Sequence, residues 1–259
     1  MNPTGERPDD RYSPDGLIAL HHAGYRDVGA RIGSGVVVDV GCGVGFGAAT
    51  LIRDDRRVIG VDYDLGAAGE ALARRGPEGL RVVAANGGVL PFATNSVDWV
   101  VSSHVIEHFA DPTNHVAEVA RVLRPGGTAL VLTPNETADF ENPFHVHPFN
   151  ADSLQAMLNK SFGDVVVGGH DATDAVKADF AARRGQAAKI LRLDFLGLRH
   201  RLPRSWYIAA YSRGTQLFYR LQARRHSAGA TAITADDFAP TDHIDETTLT
   251  LFATARAPW

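Results

Sequence analysis

Two acids and a run of alternating glycines form the group of residues in this chain that is best suited to bind a ligand. Asp39 is followed by glycines at every second position, namely Gly41, Gly43, Gly45 and Gly47. Glycine permits a sharp turn and lets backbone N–H groups approach a ligand closely. Asp62 lies 21 residues after Gly41, at the separation where a carboxylate accepts hydrogen bonds from both hydroxyls of a ribose. The spacing therefore predicts a site for a nucleoside-containing cofactor.

These residues need a scaffold of buried strands to hold them. Residues 36–38 are an apolar β-branched run typical of a strand buried on both faces, and residues 57–61 form a second run that ends at Asp62. A third strand is expected at 80–84, and strands and helices alternate from there to about residue 167. This alternation predicts an α/β fold with a doubly wound, mostly parallel sheet of seven strands.

Loop-forming residues divide the chain into four parts. We expect residues 1–35 to form an N-terminal lid and capping helix, 36–169 the cofactor-binding core, 170–246 a helical insertion that shapes the substrate site, and 247–259 the closing strand. The insertion includes a predicted helix over 204–225.

The insertion is also strongly basic. Between Arg183 and Arg225 it holds 11 Lys or Arg residues and one acid. We interpret this charge as a solvated face or a contact between subunits of a homodimer, with attraction to an anionic substrate or a membrane surface as the alternative.

The composition is that of a globular enzyme. The 259 residues are 44% hydrophobic and carry a formal net charge of −4, which argues against a nucleic-acid partner. No apolar run approaches the roughly 18 residues of a membrane span, and the first residues lack the order of a signal peptide, so a cytoplasmic location is expected. The single cysteine, Cys42, rules out an internal disulfide; we interpret it as a packing residue.

The glycine pattern alone leaves the cofactor open, because Gly43-x-Gly45-x-x-Ala48 also fits the dinucleotide fingerprint. The segments AANGGVLPF, NSVDWVVSSHVIEHFADP and EVARVLRPGGTALVLTPN follow the first two strands in order. With these segments the chain resembles class I S-adenosylmethionine (SAM)-dependent methyltransferases from about Val36 to Phe149, especially the methyltransferase type 11 and ubiquinone/menaquinone groups. An NAD-dependent dehydrogenase and a non-catalytic SAM-binding protein are the alternatives from other classes.

The resemblance implies a role for each cofactor residue. Asp39 would hold the methionine amino group and Asp62 the ribose hydroxyls, while Asn86, where the family often has aspartate, would meet the adenine edge. Leu90 would pack on the adenine face. The remaining positions expected to line the cofactor are Gly41, Cys42, Gly43, Gly45, Tyr63, Gly87, Ser103 and His104.

Histidines near the expected methyl group are the candidates for catalysis. For the general base we rank His145 first, His108 second and His147 third, with a loop-fixing hydrogen bond as the other interpretation of His145. His104, Glu107 and His108 also spell the H-x-x-E-H pattern of some zinc peptidases. Its place directly after the fourth strand of a methyltransferase argues against a peptidase. A divalent ion such as Mg²⁺, held by these histidines with Asp139 or Glu141, remains a hypothesis.

The acceptor is indicated by a second resemblance. The TGER start and the NPFHV segment resemble bacterial methyltransferases that act on sugars and polysaccharides, although Pro148 replaces their usual glutamate. This resemblance implies O-methylation of a sugar or glycan hydroxyl, with an actinobacterial methylmannose chain as one lead. The alternative acceptor is a quinone or small aromatic compound, which would need an apolar cavity built from Phe144, Trp206, Tyr207 and Phe218.

Overall fold

A computed structural model describes residues 13–139, 142, 144–192, 214 and 233–258. Its helices are α1 (Asp15–Arg31), α2 (Phe46–Thr50), α3 (Leu65–Arg75), α4 (Thr113–Val122), α5 (Ala151–Leu158) and α6 (Asp174–Arg192). Its strands are β1 (Gly35–Val40), β2 (Arg56–Asp62), β3 (Arg81–Ala84), β4 (Val97–Ser103), β5 (Leu123–Pro134), β6 (Asp164–Ala172), β7 (Phe238–Thr241) and β8 (Thr250–Arg256).

The strands of the described residues form one sheet in the order β3-β2-β1-β4-β5-β8-β6-β7. The first five in this order pair in parallel, whereas β8 runs antiparallel to both β5 and β6. The predicted doubly wound, mostly parallel α/β fold is confirmed. The strand order reverses between β1 and β4, and ligands of such sheets bind in the crevice outside the carboxyl ends of the strands at that point.

The sheet differs from the expected one in its last strands. The described residues contain eight strands where seven were expected, because residues 238–241 of the predicted helical insertion pair with β6. β6 itself continues to Ala172, beyond the expected limit of the core at residue 169. The insertion therefore contributes one edge strand to the sheet as well as helix α6.

Two sequence predictions for the insertion concern residues outside the described part. The helix expected over 204–225 lies there, as does most of the basic segment 183–225. Among the described residues, no helix combines the length and the apolar composition that a membrane crossing requires.

Side chains on the two faces of β1 pack into separate cores. Val38 and Val40 join one cluster together with Phe149 of the loop after β5. Val37 joins the opposite cluster, to which α1 contributes Tyr25. Successive side chains of a strand point to opposite faces of the sheet. Asp39 therefore lies on the same face of β1 as Val37, the face that α1 covers.

The contact between α1 and α2 depends on a glycine. A Cβ added at Gly47 would overlap the ring of Tyr25, which is buried. We expect Gly47→Ala to destabilise the fold by about 1–3 kcal/mol through overpacking. The matched control is Gly69→Ala in α3, where an added Cβ meets nothing within 4 Å, and where alanine should raise stability by about 0.5–1 kcal/mol. Thermal unfolding of both variants checks this pair, and equal melting temperatures would contradict it.

Candidate active site

A turn built on glycine connects β1 to α2. Gly41, Gly43 and Gly45 have φ angles of 73°, 55° and 77°, a region that residues with a Cβ rarely adopt. Cys42 is 6% exposed, and its thiol packs so closely on β2 that a Cβ at Gly60 would lie 2.6 Å from the sulfur. The cysteine is a packing residue at this position. The N–H groups of Gly41 and Cys42 donate to the carbonyl of Val61, so the turn is fixed to the end of β2.

Asp62 ties the glycine turn to the start of α3. Its carboxylate accepts one hydrogen bond from the N–H of Gly43 and one from the N–H of Asp64, each at 2.9 Å. Asp64 in turn caps α3 by accepting from the N–H groups of its first turn. A carboxylate oxygen has two lone pairs, so a group of this kind can accept from hydroxyl donors as well as from N–H groups.

Asp39 is fully buried and is held by a residue that sequence reasoning missed. The hydroxyl of Tyr25 donates to the Asp39 carboxylate, with its oxygen 3.1 Å and 3.0 Å from the two carboxylate oxygens. Burial raises the pKa of Asp39 to about 7, the charge of Asp62 adds to the rise, and the hydrogen bond from Tyr25 opposes it. A cation placed beside this carboxylate would favour its ionised form.

The loop after β3 carries the residues expected to bind adenine. The side-chain oxygen of Asn86 accepts from the N–H of Gly88 at 2.8 Å. The carbonyl of Gly87 lies 2.9 Å from Nδ1 of His115. Leu90 is 3% exposed and belongs to the core, whereas Tyr63 is 77% exposed. Tyr63 therefore offers a ligand more apolar surface than Leu90 does.

His115 is a second residue that sequence reasoning did not single out. It is buried, and its Nε2 lies 3.0 Å from the hydroxyl of Ser102. Burial lowers the pKa of His115, which favours a neutral ring that donates to Gly87 and accepts from Ser102. The ring thus connects the end of β4 to the loop after β3.

His104, at the carboxyl end of β4, has an unusual backbone and a histidine neighbour. Its φ of 55° is one of two positive values among the described non-glycine residues, and such conformations cluster at functional sites. Its ring centroid lies 4.5 Å from that of His21 on α1. Burial lowers the pKa of His21 well below its ordinary value, with repulsion from His104 next in importance. The contact between these two rings joins α1 to the carboxyl end of β4.

Glu107, in the turn after β4, is almost as deeply buried as Asp39. It is 1% exposed, its Oε2 accepts from the hydroxyl of Thr133 at 3.1 Å, and its Oε1 has no hydrogen-bond partner. Burial raises the pKa of Glu107, but the nearby imidazoles, His104 foremost, outweigh that effect and hold the pKa below its ordinary value. The residues Ile106–His108 form one turn of 3₁₀ helix, so the α-helical face that the H-x-x-E-H pattern would need does not exist here.

The loop after β5 brings His145 to this carboxylate. Nδ1 of His145 lies 2.6 Å from Oδ2 of Asp139, and its Nε2 lies 3.0 Å from Nδ2 of Asn142. One ligand-type atom from each of Glu107, His108 and His145 falls within 4.8 Å of the others. The structure thus brings together the two histidines ranked first and second.

His147, ranked third, lies outside this group. Its ring packs against Phe149 with centroids 4.7 Å apart, and its backbone N–H donates to the carbonyl of Glu107. Of the four aromatic residues expected to line an apolar acceptor cavity, only Phe144 belongs to the described part of the chain.

Known proteins resemble this chain in the sequence of residues 38–131 and in the fold. Residues 38–131 match the model of a methyltransferase domain family. The fold and this match are similar to those of class I SAM-dependent methyltransferase domains, and SAM is the cofactor of that class.

Two mycobacterial proteins illustrate the sequence similarity. A probable SAM-dependent methyltransferase of Mycolicibacterium smegmatis is 39% identical over 162 residues, which cover 60% of this chain and 62% of that protein. Its counterpart by name in Mycobacterium tuberculosis (strain H37Rv) is 38% identical over 156 residues, covering 58% of this chain and 56% of that protein. The chain thus matches about three fifths of the length of these curated relatives.

Solved structures share the fold at low sequence identity. A SAM-dependent methyltransferase from Thermotoga maritima superposes with a TM-score of 0.59 at 15% identity, covering 93% of this chain and 90% of that one. A 4+2 cyclase superposes with a TM-score of 0.57 at 18% identity, covering 95% of this chain and 86% of that one. At these identities the likeness concerns the fold, and the reaction has to be argued from the site.

Proposed function

We propose that this protein is a SAM-dependent O-methyltransferase that acts on a hydroxyl group of a sugar or glycan. The observation that carries the proposal is the arrangement around Ser103 and His104. β4, which ends at Ser103, pairs with the strand that bears Asp39. Nδ1 of His104 lies 3.6 Å from Glu107, and His145 with its partner Asp139 lies near that same carboxylate. A cofactor cradle and a candidate base therefore border the same end of the sheet.

The proposed contacts to SAM follow from the donors and acceptors of Asp39, the glycine turn, Asp62 and the loop after β3, which together we call the cofactor cradle. Asp39 would accept from the α-ammonium of SAM, and Asp62 from the two ribose hydroxyls. The turn from Gly41 to Gly45 would lie along the methionyl and ribose portion, with the backbone of Cys42, Ser103 and His104 beside it. Asn86 and Gly87 would meet the adenine edge, Tyr63 would cover its face, and Leu90 would support the loop from the core.

The reaction needs alignment and the removal of one proton. The methyl group of SAM is already activated by the positive sulfur, so the acceptor oxygen attacks it in line while the S–CH₃ bond breaks. S-adenosylhomocysteine and a methyl ether are formed, and the hydroxyl proton must pass to a base. We assign that role to Nε2 of His145 in the metal-free protein, because Asp139 orients its ring through Nδ1. The amide of Asn142, 3.0 Å from Nε2, has to give way to the acceptor hydroxyl.

The acceptor class rests on the polarity of the cluster. Asp139, Asn142, His108 and His145 contribute a carboxylate, an amide and two imidazoles to this cluster. Such groups hydrogen-bond the several hydroxyls of a sugar, whereas a quinone is bound mainly by apolar contact. A hydroxyl of a carbohydrate is therefore the better match to these side chains.

A methyl-transfer assay tests the proposal. The protein is incubated with SAM labelled in the methyl group and with a panel of oligosaccharides, quinones and phenols, and the products are analysed by mass spectrometry. We expect an oligosaccharide to gain one labelled methyl ether. Labelling of phenols or quinones alone would contradict the acceptor class, and thermal stabilisation by NAD but not by SAM would contradict the cofactor.

The pKa of Asp39 makes SAM affinity dependent on pH. Because the pKa of Asp39 is raised to about 7, the carboxyl must lose its proton before it can pair with an ammonium group. We expect the affinity to rise between pH 5.5 and 7 by up to about tenfold per pH unit. Calorimetric titrations across this range measure it, and Asp39→Asn should bind more weakly and with a flat pH profile. An equally steep profile in Asp39→Asn would contradict the assignment.

The same pKa affects the stability of the cofactor-free protein. The folded state holds the Asp39 proton more tightly than the unfolded chain does. The contribution of this proton to the free energy of unfolding is therefore complete below about pH 4 and is lost as the pH rises towards 7. The loss is about 4 kcal/mol at 1.36 kcal/mol per unit of pKa. SAM, through its ammonium, should restore part of this stability.

A further inference from the structure

We propose that Glu107, His108 and His145 form a binding site for a divalent transition-metal ion such as Zn²⁺. One carboxylate oxygen and one nitrogen from each imidazole lie within 4.8 Å of one another. Ligands at Zn distances of about 2.0–2.1 Å in a tetrahedral site are roughly 3.3 Å apart. Small side-chain movements would therefore close the three groups around an ion.

The hydrogen bonds of the two histidines match those of metal ligands. Nδ1 of His108 lies 3.1 Å from the carbonyl oxygen of Phe144, and Nδ1 of His145 lies 2.6 Å from the Asp139 carboxylate. A hydrogen on each Nδ1 satisfies these acceptors, which leaves both Nε2 atoms with lone pairs. Ligand histidines in proteins have this second hydrogen bond to a carboxylate or carbonyl, which fixes the tautomer and the ring orientation.

Glu107 supplies an independent observation. Its Oε1 is buried without a hydrogen-bond partner, and the nearest imidazole nitrogen, Nδ1 of His104, is 3.6 Å away, beyond hydrogen-bond distance. A buried carboxylate oxygen without a donor is costly. A cation at this position would remove that cost.

The backbone holds the three ligands in place before any ion arrives. The N–H groups of Val146 and His147 both donate to the carbonyl of Glu107, at 2.9 Å and 3.1 Å. These bonds join the loop that bears His145 to the turn that bears Glu107 and His108. One contact opposes binding: the amide of Asn142 lies 3.0 Å from Nε2 of His145 and has to move aside when an ion binds.

The donor set selects the kind of ion. Two imidazole nitrogens and one carboxylate suit Zn²⁺ and its neighbours among the transition metals, whereas Mg²⁺ prefers oxygen ligands. This donor set therefore favours a transition metal over the Mg²⁺ that the sequence suggested as one possible ion. Three protein ligands leave a fourth position for water or another small ligand.

Binding of this ion has a consequence that rests on the proposed function. Nε2 of His145 cannot hold both a metal ion and the proton of an acceptor hydroxyl. Occupation of the site would therefore remove the base and inhibit methyl transfer, so that the free Zn²⁺ concentration regulates the enzyme.

The binding experiment uses the full-length protein after removal of metals with a chelator. Zn²⁺ is titrated in competition with a chromophoric chelator, and Co²⁺ is added in parallel to record the absorption of its bound form. We expect one site per chain, and at least about a 100-fold loss of affinity in His108→Ala and in Glu107→Gln. His243→Ala is the control, because that imidazole is 86% exposed. Wild-type affinity in both cluster variants, or no stoichiometric binding, would overturn the site.

A second readout tests regulation. The rate of methyl transfer with saturating Zn²⁺ is divided by the rate with chelator, for the wild type and for His108→Ala. A low ratio in the wild type and a ratio near one in the variant are expected, with Mg²⁺ having no effect. A wild-type rate that is unchanged or higher with the ion bound would overturn the inhibitory role. A protein that transfers no methyl group in any condition would refute the proposed function, while the binding data still decide the metal site.

Discussion

Replacing His145 by alanine is expected to lower kcat for methyl transfer by about 10²- to 10⁴-fold, the usual contribution of a positioned general base. In the proposed mechanism the lone pair on Nε2 accepts the hydroxyl proton in the metal-free protein, and Asp139 holds the ring through a bond of 2.6 Å to Nδ1. Neither atom belongs to the cofactor cradle, so the affinity for SAM should remain within about twofold of the wild type. The measurement is steady-state kinetics with a chelator present, paired with calorimetry of SAM binding.

Two further variants separate a base from a merely structural histidine. Asp139→Asn keeps the shape of the side chain but removes the charge that orients the imidazole, so it should lower kcat by at least about tenfold. His147→Ala should have the smaller effect of the two histidine variants, because its ring packs on Phe149 outside the cluster. Full activity in His145→Ala, or equal losses in both histidine variants, would contradict the assignment.

The parts of the fold that could be predicted from sequence are those with a local cause. β1 and β2 are β-branched runs that need cover on both faces, and the chain between them turns where only glycine tolerates a positive φ. Because parallel strands end at the same edge, Asp39 and Asp62 had to lie near each other. Their order in the sequence was enough to predict that the two acids lie close enough to influence each other's charge.

Features that depend on contacts between distant segments could not be predicted in this way. Tyr25 reaches Asp39 only because α1 packs over β1, and nothing in the helix sequence indicates that contact. β7 is a four-residue edge strand that contains Pro240, and a proline in a short polar stretch gives no strand pattern. The Asp139–His145 pair forms in a loop without periodicity, so the residue types were recognisable but their partnership was not.

Asp62→Ala is expected to weaken SAM binding by at least about 100-fold. Each hydrogen bond from a ribose hydroxyl to a charged oxygen contributes about 1.5–3 kcal/mol, and the carboxylate has two oxygens to offer. The side chain also accepts from the N–H groups of Gly43 and Asp64, so its loss should loosen the glycine turn as well. Asp62→Asn keeps one acceptor oxygen and should bind with intermediate affinity.

The matched control is the other acid of this loop. Asp64→Ala removes the cap of α3, which should cost about 0.5–2 kcal/mol of stability, but it leaves both oxygens of Asp62 available to the ribose. Calorimetry with SAM and thermal unfolding without it distinguish the two effects, because Asp62→Ala should lose mainly affinity and Asp64→Ala mainly stability. If Asp62→Ala bound SAM as tightly as Asp64→Ala, the ribose would have to be held by other residues. The role assigned to Asp62 would then be wrong.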